Sequence, residues 1–145
     1  MRFQLRHATA EDRDFLFQLH CSTMREYIER TWGWDEDWQF GDFEGRFDPQ
    51  TYEVIVVGGE RVGFLEVERG TDEIFIANIQ VAPWLQGRGL GTAVIRQVMQ
   101  EAIGAGLPTT LQVLGVNHRA RRLYERLGFR VSGHVPPHLR MRCGP

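Results

Sequence analysis

Residues 86 to 91 read Gln-Gly-Arg-Gly-Leu-Gly, with glycine at every second position just ahead of an apolar stripe at helical spacing. A helix N-terminus carries unpaired N–H groups and a partial positive charge, so an anion placed there is stabilised without a lysine. With no Cβ at Gly87, Gly89 and Gly91, the main chain can curl its N–H groups around a pyrophosphate and adopt conformations closed to other residues. The same glycines equally describe a tight strand-to-helix connection with no ligand, and context has to decide between the two. Two nucleotide motifs are excluded. The Walker pattern needs Gly-Lys-Ser/Thr after four variable residues, and this turn has no lysine. A dinucleotide fingerprint needs a third glycine where Thr92 stands, counted from Gly87, and an acid about twenty positions on, whereas residues 105 to 115 contain none.

Positioning such a turn requires a strand before it and a helix after it. Glu73 to Val81 is rich in β-branched and aromatic residues and runs into Ala82-Pro83, where proline ends any ladder. Leu90, Val94, Val98, Met99 and Ala102 follow at helical spacing until Gly104 and Gly106. Upstream, Arg2 to Ala8 alternates weakly and leads to Thr9, which can cap a helix while Asp12 favours its positive end. Phe15, Leu16, Leu19, Met24, Tyr27 and Ile28 extend that helix to Gly33, and residues 35 to 48 predict a short helix with a partly apolar face. Tyr52–Val57 and Arg61–Val67 read as strands joined by the hairpin signal Gly58-Gly59. Downstream, Thr109 to Leu114 predicts a strand. Asn117 opens a helix with the stripe Ala120, Leu123, Tyr124, Leu127, and Gly128 supplies its C′ position. Phe129–Val135 and His138–Cys143, separated by Pro136-Pro137, predict a closing hairpin.

The 145 residues, 42% apolar, suffice for one compact core, so residues 1–145 are expected to form a single domain. A net charge of -2 gives no general electrostatic case for nucleic acid or membrane binding, and a cytoplasmic setting is expected. Cys21 and Cys143 lack metal-type spacing, no metal is expected, and the N-terminus leads into no apolar stretch long enough for a signal peptide or a membrane span. Neither thiol has a partnered base, so both read as small hydrophobes.

The sequence resembles the GNAT N-acetyltransferase superfamily, whose core motif Arg/Gln-x-x-Gly-x-Gly/Ala after the fourth strand is matched by Gln86, Gly89 and Gly91. A second, separate match is Asn117-x-x-Ala120-x-x-x-Tyr124-x-x-x-Gly128-Phe129. The order of elements agrees from Arg2 to the final hairpin. The resemblance implies an α/β (α+β) fold: a mixed, mainly antiparallel sheet of about seven strands, splayed between the fourth and fifth, flanked by about four helices. It implies acetyl-coenzyme A as co-substrate. The main chain of Ile79, Gln80 and Val81 would pair with the pantetheine arm and polarise the acetyl carbonyl. Gln86, Gly87, Arg88, Gly89, Leu90, Gly91 and Thr92 would face the pyrophosphate, Asn117 would contact the arm or serve as a plain N-cap, and Tyr124 would be the general acid that protonates the departing thiolate or else a packing residue. The acceptor implied is a small-molecule or peptide amine, taken by a monomer or homodimer.

One departure affects the mechanism. The branch of this superfamily that acetylates protein N-termini has a glutamate as general base on the fifth strand, where this sequence has Gln112. An alkylammonium of pKa about 10.4 must lose a proton before it attacks a thioester, and a glutamine cannot take one. Glu26, Glu29, Glu73 and His138 qualify by residue type, each of them also readable as ordinary surface polarity. Loss of turnover with retention of the fold, giving an acetyl-coenzyme A-binding or partner-binding module, is the alternative that Gln112 keeps open. Trp32, Trp34 and Trp38 lie in the segment where the acceptor site of such proteins forms, and equally suit packing of the first helices. Between residues 35 and 48, six acids, Asp35, Glu36, Asp37, Asp42, Glu44 and Asp48, face Arg46 alone, which suggests a cationic acceptor or a solvated face. Arg119, Arg121, Arg122, Arg126 and Arg130 form either a site for the cofactor's 3′-phosphate or another solvated face.

Overall fold

A computed structural model of the chain describes residues 2–145. Its strands are β1 (Gln4–His7), β2 (Tyr52–Val57), β3 (Glu60–Arg69), β4 (Ile74–Val81), β5 (Thr109–Leu114), β6 (Arg130–Val135) and β7 (His138–Cys143). The α-helices are α1 (Arg13–Thr31), α2 (Glu36–Arg46), α3 (Leu90–Ala105) and α4 (His118–Arg126). The strands form one seven-stranded sheet in the order β1-β2-β3-β4-β5-β7-β6. Pairing of β4 with β5 is parallel, and β1–β2, β2–β3, β5–β7 and β6–β7 are antiparallel. This is the mixed, mainly antiparallel sheet with four helices that the sequence leads one to expect. The parallel pairing covers Ile74–Ile76 against Thr109–Leu111, while β4 continues to Val81 and β5 to Leu114. No described helix is long and apolar enough to cross a membrane.

The described residues fall into two compact units, one running to Glu66 and including Ile79–Leu90, the other made of Val67–Asn78 and Gly91–Pro145. The first is built around aromatic side chains. Phe43 meets Tyr52 edge-on at 5.8 Å, Tyr52 stacks on Phe64 at 5.6 Å, and Phe17 tilts against Phe43 at 5.6 Å. Leu16, Leu19 and Val54 complete this core. In the second unit Val94, Ile95, Val98 and Ala102 of α3 are buried, as are Leu111 and Val113 of β5, Phe129 and Met141.

Several expectations shift where tertiary contacts override local pattern. Strand β1 is shorter than the alternation from Arg2 to Ala8, because Gln4 already faces Val56 and its partner strand stops at Val57. Thr9 does not open α1 directly; a 3-10 turn at Ala10–Asp12 comes first. Asp12 does more than complement a helix end. Its buried carboxylate accepts from both terminal nitrogens of Arg6 at 2.8 and 3.0 Å, from Thr9 N at 2.8 Å and from Arg61 at 3.3 Å, fastening β1 and β3 to the start of α1. Hydrogen bonding to Arg6 is the chief reason its carboxyl is held well below the usual carboxylate range. Glu73 lies just outside the strand, its carbonyl accepting from Gly70 N at 3.0 Å, and β4 begins at Ile74. Phe129 N is bonded to Tyr124 O at 3.0 Å, and β6 accordingly starts one residue later than expected, at Arg130.

One glycine inside a strand matters for the end of β4. A Cβ on Gly63 would clash with the Gln80 carbonyl oxygen, well inside van der Waals contact, and would crowd Ile55 Cδ1 at 3.1 Å and Val81 Cα at 3.3 Å. Glycine at this position therefore lets β3 and β4 approach closely. Gly63→Ala is expected to lower stability by about 1–3 kcal/mol, the usual cost of overpacking, since the obstruction is main chain and not a side chain that can swing away. Urea unfolding measures this, and a wild-type midpoint at unchanged m-value would contradict the crowding.

Candidate active site

The residues expected to hold the cofactor are contiguous in the chain from β4 to the first turn of α3. Ile79 and Val81 are half-buried and Gln80 is only 3% exposed. After Val81 the chain makes a 3-10 turn at Pro83–Leu85, and Gln86 turns its side chain back so that Nε2 donates to Val81 O at 2.9 Å. The motif glutamine thus fastens the turn to the strand end. Gly87 and Gly89 have φ of 77° and 86°, the left-handed region that favours glycine, and the space where a Cβ of Gly89 would sit is open. Leu90, the first residue of α3, is buried and anchors the helix, whereas Gln86, Gly87, Arg88 and Gly89 are exposed. The initial N–H groups of α3 have no intrahelical acceptors, and no acidic residue lies in its first turn to compete with an incoming anion. A glycine cradle at the start of a 16-residue helix fits a pyrophosphate in both sterics and electrostatics.

The second group of expected residues lies on β5 and α4. Asn117 is the N-cap of α4, its side chain accepting from Ala120 N at 3.1 Å. Tyr124 projects from the apolar stripe of α4, is 7% exposed, and meets Phe129 edge-on at 6.0 Å. Burial pushes its phenol up to about 12, so it holds its proton throughout the neutral range. Gly128, with φ of 100°, terminates the helix as expected. Gln112 on β5 faces Arg140 of β7 across the antiparallel pair.

Of the four candidate bases, Glu73 is 3.5 Å from Arg140, whose guanidinium lies over the Phe75 ring at 5.1 Å. Glu26 and Glu29 are exposed on α1, and His138 begins β7. The acidic run has structural employment. Asp35 caps α2 by accepting from Trp38 N at 3.1 Å, Asp42 faces Arg46 at 3.7 Å, and Asp48 accepts from Gln50 N at 2.9 Å. Glu36 and Asp37 occupy the first turn of α2, where its dipole favours acids. Trp32 and Trp38 stand 59% and 60% exposed, so more than half of each side chain faces outward.

A part-buried polar network carries no signal in the sequence pattern. Thr23 Oγ1 lies 2.5 Å from Gln80 Oε1, a separation suited to O–H···O and too short for N–H···O, which orients the Gln80 amide. Its Nε2 then donates to His20 Nδ1 at 3.2 Å, and His20 Nε2 donates to Gln39 Oε1 at 3.0 Å. Burial is the main cause of a lowered His20 pKa, opposed by the bond to Gln39 and modified by the charges of Arg46 and Asp42. The folded chain therefore protonates His20 less readily than the unfolded chain does. Because its folded pKa lies below the ordinary 6.5, the unfolded chain binds the proton first, and His20 costs stability as pH falls below about 6.5. The stability advantage of the wild type over His20→Asn should shrink as pH is lowered from about 7.5 to about 5.5, read by denaturant unfolding; a constant difference would contradict a lowered His20 pKa.

Comparison with known proteins adds to this geometry. The family model described as "Acetyltransferase (GNAT) family" matches residues 13–129. A mycothiol acetyltransferase of Streptomyces coelicolor is 33% identical over 57% of this chain and 28% of its own length. The aminoalkylphosphonate N-acetyltransferase of Salmonella typhimurium is 27% identical over 89% of this chain and 86% of its own length. The chain spans only 28% of the length of the mycothiol acetyltransferases it matches. Among solved structures, the PaiA N-acetyltransferase of Thermoplasma acidophilum in complex with coenzyme A shares the fold with a TM-score of 0.81 at 12% identity, over 100% of both chains. A family model covering well over half of the sequence, on a mixed sheet with parallel β4–β5 pairing and a glycine turn ahead of α3, places the chain in the GNAT acetyltransferase family.

Proposed function

We propose that the protein transfers the acetyl group of acetyl-coenzyme A to a primary amine by direct attack within a ternary complex. The observation that carries this reading is the turn from Gln86 to Thr92, with left-handed Gly87 and Gly89 and open space above Gly89 at the start of α3, in a chain of the GNAT family. Gly87 to Thr92 hold the pyrophosphate through main-chain N–H groups, and Ile79 to Val81 meet the pantetheine arm as a sheet edge would. Asn117 caps α4 and contacts the arm. Bound acetyl-coenzyme A supplies an activated acyl group with a thiolate as leaving group. Tyr124, protonated across the neutral range, supplies the proton that the thiolate takes up. Gln112 takes no proton, so the ammonium loses its proton to water or to another side chain, such as Glu26, Glu29, Glu73 or His138, before attack.

A small-molecule acceptor is supported by relatives named for mycothiol and for aminoalkylphosphonate. The exposed Trp32 and Trp38 beside Glu36 and Asp37 favour one that carries positive charge, through the field of the acids and cation–π contacts of about 0.5–2 kcal/mol each. The test is release of coenzyme A thiol against polyamines, amino sugars, aminoalkylphosphonates, neutral amines and peptides, with N-acetyl products identified by mass spectrometry and salt varied. The expected result is turnover of at least one primary amine, with cationic acceptors losing their advantage as salt shortens the Debye length to a few ångströms, about 3 Å at 1 M. Cofactor binding with no turnover across the whole panel would favour the binding-module reading that Gln112 suggests.

A further inference from the structure

The last residues of β4 are held by main-chain contacts with β3, where Ala82 N donates to Val62 O at 2.8 Å and Gly63 admits the Gln80 carbonyl. The parallel pairing with β5 covers only Ile74–Ile76. Side chains supplement this arrangement at the strand end. Gln86 grips the Val81 carbonyl from the turn, and Gln80 is gripped from the helices, by Thr23 and His20 of α1, with Gln39 of α2 bonded to the far side of the imidazole.

Packing alone does not call for a glutamine here. Gln80 is 3% exposed and Gln39 is 6% exposed, and an aliphatic residue would fill either place without polar atoms to satisfy. A chain of directional bonds does something that apolar contact does not. It fixes the rotation and the axial position of the strand end against α1, because each bond weakens steeply once its angle departs from linearity. The network lies wholly within one compact unit and joins the two helices that carry the exposed tryptophans and acids to the strand end that, on the proposed function, meets the acyl donor.

We propose that His20, Thr23 and Gln80, with Gln39 supporting the imidazole, are positioning residues that hold the main chain of Ile79–Val81 in register with the acetyl donor. None of them touches reacting atoms in this scheme. The proposal rests on the proposed function, and its consequence for the strand can be measured without it. Asparagine places an oxygen near the site of His20 Nδ1 and keeps the acceptor for Gln80, whereas glutamine places an N–H near the site of Nε2 and keeps only the donor to Gln39. The variants are therefore His20→Asn, His20→Gln, Gln80→Leu and Thr23→Val.

Two readouts are taken on the full chain: amide hydrogen exchange over Ile79–Ala82, and kcat with acetyl-coenzyme A and whichever amine the panel identifies. His20→Gln, Gln80→Leu and Thr23→Val should speed exchange at these amides and lower kcat by about 10–100-fold, the scale expected when a reacting group is misplaced by about 1 Å. His20→Asn should recover most of both. A purely structural role would lower the melting temperature of His20→Asn and His20→Gln alike and leave kcat per folded molecule unaltered. Should Gln80→Leu fail to fold, the His20 pair and Thr23→Val carry the comparison. Unchanged exchange in His20→Gln and Thr23→Val overturns the proposal, and so does faster exchange with wild-type kcat. If the wild type turns over no amine, the proposed function fails, while exchange still decides whether the network holds the strand.

Discussion

Gly89→Glu should abolish acetyl-coenzyme A binding, lowering affinity by at least about 100-fold, or about 2.7 kcal/mol. The substitution sets a carboxylate where, on the proposed function, the pyrophosphate sits, at a helix end whose positive potential it would itself neutralise. A second effect acts on the backbone. Gly89 has φ of 86°, and a residue with a Cβ at that angle costs about 1–3 kcal/mol in strain. The comparison variant is therefore Gly89→Ala, which shares the strain and brings no charge. No atom lies within 4 Å of the place a Cβ would take, so alanine meets no steric obstacle and both variants should fold with similar, modestly reduced stability. Binding should be weakened in Gly89→Ala and lost in Gly89→Glu, as read by calorimetry. Equal affinity in the two would assign the effect to the backbone alone, and wild-type affinity in a folded Gly89→Glu would remove the pyrophosphate from this turn.

Tyr124→Phe should lower turnover by roughly 10 to 1,000-fold, in or near the range associated with loss of a positioned proton donor. The ring stays, so the edge-on contact with Phe129 and the stripe of α4 are conserved, and stability should move little. Cofactor affinity should also be little altered. The pH dependence gives an independent handle. A phenol pushed up to about 12 by burial does not titrate between about pH 6 and 10, so the profiles of wild type and Tyr124→Phe should run parallel there, offset by a constant factor. Convergence of the two profiles within that window would mean that Tyr124 is not the proton donor, and unchanged turnover would reduce it to packing.

The legible parts of this protein are those specified by local chemistry. Gly87 and Gly89 need left-handed backbone, Asn117 caps the helix it precedes, Gly128 ends it, and each signal is confined to a few residues. The hairpin at Gly58-Gly59 belongs to the same class, both glycines having positive φ. Contacts across long stretches of chain were not legible. Thr23 and Gln80 are 57 residues apart, and His20 and Gln80 are 60 apart, and no spacing rule links a helix threonine and histidine to a strand glutamine at such a distance. A trace of the arrangement exists, since His20 and Thr23 lie one helical turn apart and Gln80 interrupts an apolar strand. Gly63 had a fuller signal, as an isolated glycine inside a strand pattern commonly marks a close approach. In sequence Asp12 reads as a helix-end charge, and its role as the anchor for Arg6 and Arg61 depends on where β1 and β3 come to lie. The acidic run from Asp35 to Asp48 reads in sequence as a single field, whereas Asp35, Glu36, Asp37, Asp42 and Asp48 have separate tasks in capping, helix-dipole, ion-pair and turn contacts.

The most direct test of the account is a titration of the isotopically labelled protein with acetyl-coenzyme A, followed through its backbone amide resonances. The account predicts saturable shifts that are largest at Gly87, Gly89, Leu90 and Gly91, with a second set at Ile79–Val81, and the same turn set on titration with coenzyme A lacking the acetyl group. Saturable binding with its largest shifts elsewhere, or no binding at concentrations well above those typical of enzyme substrates, about 1 mM, would contradict it.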